Sequence, residues 1–232
     1  MNKIIWKDVD SSTIKGLMIC ELPPITKPAM RVKEEVVDGV DGSTFEELGY
    51  EAYDKQLQIA LTREFDINEV IKYFTGEGNV VFSNEPDKFY KARIIEQIDY
   101  ERLLRFRTAN IKFRIQPFKY EYEESANMSI ISSSSSYKIT NKGNYFAKPI
   151  MTIRGSGKIT IKLNNNVLFT YTFPDDDTEV VIDAQKQDAY LGSILKNRYM
   201  TGDFPRFEIG ENTITWEGTV ESIDFSLVSR WL

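Results

Sequence analysis

Histidine is absent from this 232-residue chain, and cysteine occurs once. The first absence removes the commonest general base near neutral pH and the commonest metal ligand. Ser/His/Asp, Cys/His and His-based zinc chemistry are thereby excluded. The single thiol, Cys20, cannot form an intrachain disulfide and suits a reducing compartment. Its neighbours Leu17, Met18, Ile19 and Leu22 predict a buried structural thiol rather than a nucleophile. No apolar run approaches the ~20 residues that a membrane helix needs, and the opening MNKIIWKD lacks the apolar core of a secretion signal. Positive charge is short as well. With 35 acidic against 29 basic side chains and a net charge of -6, the chain lacks the excess a generic nucleic-acid binder uses to neutralise phosphates.

What is present is a β pattern. Short alternating apolar runs are broken throughout by Ser, Asp, Asn and Gly, and 41% of residues are hydrophobic, which fits a globular, largely antiparallel β protein of one large or two small domains. Tyr53, Lys55, Leu57, Ile59 and Leu61 mark one half-buried strand face. A single helix is expected over Asp66–Phe74, capped by Asp66 with Glu69 completing a capping box. Its apolar stripe is Ile67, Val70, Ile71 and Phe74, and Gly76 stops it.

The stretch GEGNVVFSNEPDKFYKARI poses the choice between a site and a turn. Pro86 fixes φ between the turn-favouring Asn84 and Asp87, so Glu85, Asp87 and Lys88 are expected at a solvated hairpin tip. Tyr90, Ala92 and Ile94 face inward on the following strand. In LLRFRTANIKFRI the apolar parity slips between Phe106 and Ile111, which predicts a β-bulge near Ala109 and Asn110. It also predicts a basic outer row of Arg105, Arg107, Lys112 and Arg114, solvated or charge-paired rather than in contact with nucleic acid.

The serine run 132–136 suggests a linker between a first domain, 1–131, and a second, 137–232. Beyond it, turn clusters separate the strands ITIKL, VLFTYTF and EVVID, as in a β-sandwich of about 100 residues. The terminal Arg230-Trp231-Leu232 is expected to dock rather than fray, with a return to the first domain as one route. Asp175–Asp177 is a candidate cation turn, but one acidic turn lacks a full ligand pattern, so no metal site is assigned. Glu34-Glu35, Glu46-Glu47 and Glu123-Glu124 are the carboxylate pairs open to a glycosidase. Neighbouring strand residues point to opposite faces, so none flanks one bond. No catalytic residue, cofactor or enzymatic activity is expected.

Together, GEGNVVFSNEPDKFYKARI, FRIQPFKY, NKGNYFAKPIMTIRGSGKITIKLNN, VVIDAQ and GDFPRFEIGENTITW resemble, in order, the distal tail protein (Dit) family of long-tailed phages and prophages of Gram-positive bacteria. The resemblance implies a mainly β protein. A barrel-like, ring-forming N-terminal domain with one short helix would precede a C-terminal sandwich resembling galectins and carbohydrate-binding modules. It implies a virion structural protein at the tail tip, or baseplate, made in the bacterial host cytoplasm. Such proteins form a hexameric ring, single or as two stacked rings, that joins the tail tube protein to tail-tip or receptor-binding proteins. DNA only transits the channel, and nothing inserts into a membrane.

The segment LPPITKPAMRVKEEVVDGVDGSTFEELGY then reads as an arm. Prolines at 23, 24 and 28 prevent early sheet continuation, and Asp38-Gly39 and Asp41-Gly42 supply reversals. The resemblance implies that Met30, Val32, Val36, Val37 and Val40 of this arm contact the neighbouring subunit; the residues alone leave open an ordinary edge hairpin folded on its own domain. The alternative is a carbohydrate-binding protein for host surface glycans. Galectin-type sites use a histidine-containing polar set with a stacking tryptophan. Here no histidine exists, and Trp216 shares the parity of Ile214, as a core residue would.

Overall fold

The structure, a computed structural model, describes residues 2–122, 126–131, 136–227 and 229–232, and of 126–131 the backbone alone. The fold is mainly β. Residues 1–122 with Leu232 form one compact unit, and residues 123–231 form the other.

The first unit contains β1 (Ile4–Trp6), β2 (Val9–Asp10), β3 (Leu17–Glu21), β4 (Met30–Glu35), β5 (Thr44–Tyr50), β6 (Tyr53–Leu61), α1 (Ile67–Tyr73), β7 (Glu77–Phe82), β8 (Lys88–Arg93), α2 (Tyr100–Phe106) and β9 (Thr108–Glu121). Seven strands of this unit lie in one curled antiparallel sheet in the order β2-β1-β7-β8-β9-β6-β3. Its inner face carries Trp6, Leu57, Ile59, Val80, Phe82, Tyr90, Ile111 and Phe113, all 1% exposed or less. The alternation that the sequence displays is what delivers them to one side. Trp6 meets Phe113 edge-on at 5.1 Å between ring centroids.

Helix α1 covers this core with Val70 and Tyr73, and Phe74 at its C-cap is also buried. Asp66 caps it as expected, accepting from the amides of Asn68 at 2.9 Å and Glu69 at 3.3 Å. The box is not reciprocal, because the Glu69 carboxylate accepts instead from the Lys15 amide at 3.4 Å. Ile71 lies on the outer side.

Three sequence expectations change here. Cys20 is exposed, because β3 alternates with Leu17 and Ile19 inward and places the thiol on the outer face. A second helix, α2, replaces the expected strand and bulge. Asp99 caps it through the Arg102 amide at 2.8 Å, and Arg107 ends it in the left-handed region at φ 60. Leu104 and Phe106 therefore follow helical spacing, and Ala109 and Asn110 sit in an uninterrupted ladder opposite Ile59 and Gln58. The basic row divides accordingly. Arg105 and Arg107 belong to the helix end, whereas Lys112 and Arg114 lie on β9 and pair with Asp54, at 3.6 and 3.1 Å.

The second unit contains β10 (Ala126–Ile131), β11 (Ser136–Asn141), β12 (Ile150–Leu163), β13 (Asn166–Thr172), β14 (Glu179–Asp183), β15 (Asp188–Leu191), β16 (Ile194–Leu195), β17 (Met200–Gly202), β18 (Gly210–Leu227) and β19 (Arg230–Trp231). Two long strands, β12 and β18, pair along their lengths and each serves two layers. The Ile150–Arg154 half of β12 pairs with β14, and its Lys158–Leu163 half pairs with β13. On β18, residues 222–227 pair with β10 and residues 210–215 with β11.

The bend between the halves needs glycine. A Cβ on Gly155 would lie 2.3 Å from the Thr219 carbonyl oxygen. One on Gly218, at φ +93, would lie 2.4 Å from that of Lys158. Between the layers lies a core that includes Met151, Ile161, Phe169, Tyr171, Phe207 and Phe225. Strands that switch sheets at such corners are how a sandwich is closed.

The expected linker does not coincide with the division into units. β10 already pairs with β18, and Ser136 opens β11, so the serine run falls between two strands of one sheet. Ser132–Ser135 and Glu123-Glu124 lie outside the described residues.

Candidate assembly interface

The arm of the sequence is a two-stranded ribbon, β4 paired with β5, separate from both larger sheets. Met30 opposes Tyr50 and Glu35 opposes Thr44, with a register shift between Arg31 and Val32. Every residue of β4 is exposed, and so is β5 from Thr44 to Leu48. Met30, Val32, Val36, Val37 and Val40, the side chains singled out in the sequence, are joined on this exposed ribbon and its tip by Phe45 and Leu48, which sequence reasoning did not mark. Phe45 and Val40 are both 63% exposed. An isolated two-stranded hairpin is marginal in water, and contiguous exposed apolar side chains on one element mark a surface that another body covers.

The ribbon's root, by contrast, is fastened. The Glu51 amide donates to the Ala29 carbonyl at 2.9 Å, closing the base of the arm. Tyr50 meets Phe118 edge-on at 6.0 Å, and the Lys27 ammonium lies 5.6 Å from the Tyr50 ring centroid. Upstream, the proline segment is held by two side chains, one from the β7–β8 turn and one from β6. Asn84 Nδ2 donates to the Pro23 carbonyl at 2.9 Å, and Lys55 Nζ donates to that of Pro24 at 2.6 Å. Proline has no amide proton to bind the sheet edge, so its carbonyls carry the attachment.

Lys55 belongs to a buried polar cluster that the sequence hid. It occupies an inward position on β6 and is 3% exposed, 5.1 Å from the Tyr90 ring centroid and 5.7 Å from that of Tyr53. The shift of the β8–β9 ladder past Pro117 sets Lys119 opposite Tyr90, so the two side chains share a face. Glu85 reaches into that space from the Asn-Glu-Pro turn. It accepts from the Tyr90 hydroxyl and pairs with Lys119 Nζ at 2.6 Å.

The turn reading of this segment holds, with Glu85 and Lys88 bonding back to Phe82 and Glu85 through the backbone. Its tip is not wholly solvated, however, since the Glu85 side chain is 13% exposed. Burial pushes the Lys55 ammonium down to about 8, against the opposing influence of the Glu85 carboxylate. Burial, then the Glu85 charge, raises Tyr53 to about 12, and burial with the Glu85 hydrogen bond raises Tyr90 further. Lysine, glutamate and two tyrosines around proline carbonyls form an anchor for the arm.

In the second unit, Trp216 packs in the core and offers no open stacking face. Asp177 of the acidic turn pairs with Lys196 Nζ at 2.5 Å, which commits the carboxylate that a cation would need. No helix among the described residues is long and apolar enough to cross a membrane.

No protein-family model matches the sequence, and no curated protein matches it. Among solved structures, the fold is similar to that of the Dit protein (gp 19.1) of SPP1, described as a paradigm of hub adsorption apparatus in Gram-positive infecting phages. The TM-score is 0.70 at 12% identity, over 100% of both chains. The baseplate of phage p2 in its activated conformation gives a TM-score of 0.48 with strontium, at 10% identity over 98% of this chain and 97% of that one. With calcium it gives 0.48 at 9%, over 99% and 98%. Those two scores are too low to support a fold assignment. The SPP1 likeness establishes a Dit-type fold across both units.

Proposed function

We propose that this chain is a structural hub of a phage tail tip: a distal tail protein whose first unit assembles into a hexameric ring. The ring joins the tail tube to tail-tip or receptor-binding proteins and leaves a channel through which DNA passes. The observation that carries this reading is the SPP1 Dit fold over the full length of both chains. The ordered sequence resemblance and the exposed apolar arm support it.

A ring explains the arm physically. A contact between two different patches on identical subunits continues from copy to copy until rotation closes it, and closure leaves no unsatisfied surface. Met30, Val32, Val36, Val37 and Val40 are covered in that assembly. The chain acts by position and shape rather than by turnover, and it works without a cofactor. A glycan-binding role is the weaker reading, because the tryptophan it would use is buried. The second unit instead faces neighbouring baseplate or receptor-binding proteins.

Electron microscopy of the purified full chain, combined with its native mass, tests the proposal. Six-fold rings, single or paired, are the expected particles. A strict monomer at high protein concentration and modest salt contradicts it.

A further inference from the structure

In the second unit, Ala147 and Phe207 form an isolated antiparallel bridge and exchange both backbone hydrogen bonds, at 2.8 and 2.9 Å. Both side chains are fully buried. Alternation along extended chain turns their neighbours the other way, so Phe146 and Lys148 emerge beside Arg206 and Glu208. Arg230 joins them from β19. Its carbonyl accepts from the Tyr145 amide at 3.2 Å, and its Nε donates to the Phe146 carbonyl at 2.9 Å.

Three cationic side chains are thereby gathered at one place. The Arg206 guanidinium lies 3.7 Å from the Phe146 ring centroid, and that of Arg230 lies 4.6 Å from it. Arg230 is also 5.4 Å from the Tyr145 ring centroid, and the two rings are 4.4 Å apart. Contact with a ring holds a planar guanidinium in a set orientation, so its remaining N–H groups form a ready fork. Lys148 is half-buried. Burial first, then the charges of Arg230 and Arg206, holds its ammonium below its ordinary value. Among the described residues no carboxylate lies within ion-pair distance of Lys148, while Glu208 engages Arg206 through Nε, at 3.0 Å. Like charges gathered at a partly desolvated place cost free energy, and a bound anion offsets that cost.

We infer that Lys148, Arg206 and Arg230 form a binding site for a phosphate group, either inorganic or carried as a monoester. Such a group has about 1.5 to 2 negative charges near neutral pH and three acceptor oxygens, enough to meet one ammonium and two forks together. A carboxylate offers two oxygens and a single charge. The site lies wholly among residues of the second unit and does not depend on ring formation.

The test is isothermal titration calorimetry of the full chain in phosphate-free buffer at fixed ionic strength, with inorganic phosphate, glycerol 3-phosphate and acetate as probes. A charge-assisted contact contributes enough for about a tenfold difference, so both phosphates are expected to bind at least about tenfold more tightly than acetate. Glycerol 3-phosphate binding more tightly than inorganic phosphate identifies a carried group, and equal binding identifies the free anion; either outcome supports the site. Lys148→Met and, separately, Arg206→Gln are each expected to weaken phosphate binding about tenfold. Lys138→Met, at a lysine paired with Glu211, is expected to leave it unchanged. Circular dichroism checks the fold, and the exposed Arg206 carries the test if Lys148→Met disturbs it. Phosphate that binds no better than acetate overturns the proposal, and so does an Arg206→Gln chain that binds phosphate like the unaltered one.

Discussion

The first unit holds two hairpins made from the same antiparallel ladder, β7–β8 and β4–β5, and they differ in what covers them. β7 is flanked by β1, β8 by β9, and the pair turns Val80, Phe82, Tyr90 and Ala92 into the core. Even the turn between them is tied down, by Glu85 to Tyr90 and Lys119. β4–β5 has no third strand among the described residues and buries nothing, yet it displays Val32, Phe45 and Leu48. Backbone hydrogen bonding is alike in both. The difference lies in where the apolar surface finds cover: within the unit for one hairpin, and, in the ring proposed above, on another copy for the other. Anchoring is concentrated at the arm's root, on Pro23, Pro24 and Ala29, which fixes its base and leaves its faces free.

The largest expected effect comes from making the uncovered hairpin polar. Val32→Asp with Phe45→Asp should leave the thermal unfolding midpoint nearly unchanged, because neither side chain packs within the chain, and should weaken self-association about a hundredfold or more. Sedimentation velocity reads the second quantity and calorimetry the first.

An opposite pattern is expected from the second unit. Gly218→Ala puts a Cβ against the Lys158 carbonyl at a positive φ and should cost about 2–3 kcal/mol of that unit's stability, measured by denaturant unfolding, without dissociating the assembly.

Lys119→Met tests the covered hairpin's tie. It leaves the mostly buried Glu85 carboxylate without its cation and should cost about 2 kcal/mol of first-unit stability at neutral pH. An unchanged midpoint would show that the pair is solvated.

The smallest effect is a pH dependence. A lysine whose folded pKa lies below its unfolded value binds fewer protons in the fold between the two values, so stability rises with pH across that window. Lys55 is held at about 8 against an ordinary 10.5. The unaltered chain should therefore gain about 1 kcal/mol relative to Lys55→Met from pH 8 to 9. Above pH 10 the sign reverses for the tyrosines. Tyr53, held at about 12 in the fold, contributes stability that is lost as the unfolded chain ionises first.

The sequence made the periodic elements legible. The Tyr53–Leu61 strand face, the Asp66-capped helix and the Asn-Glu-Pro turn follow from local spacing, and the prolines with Asp-Gly pairs disclosed the arm. What it concealed depends on neighbours remote in the chain. Cys20 is exposed because strand parity, not its apolar company, decides its face. α2 was obscured because Leu104 and Phe106 also alternate, and only the left-handed cap at Arg107 separates helix from strand. The second unit begins before the serine run because β18, far along the chain, pairs with residues 126–131. The anchor was half visible. Lys55 stood on an inward face, a signal that a buried charge needs partners, but its partners Glu85 and Lys119 are joined only by the ladder.

Native mass measurement of the full chain beside one in which a short glycine-serine link replaces residues 30–50 tests the central claim most directly. The ends to be joined are already adjacent, through the Glu51 amide and the Ala29 carbonyl. The account predicts a ring-sized particle for the first and a folded monomer for the second. Rings of unchanged mass from the shortened chain would contradict it.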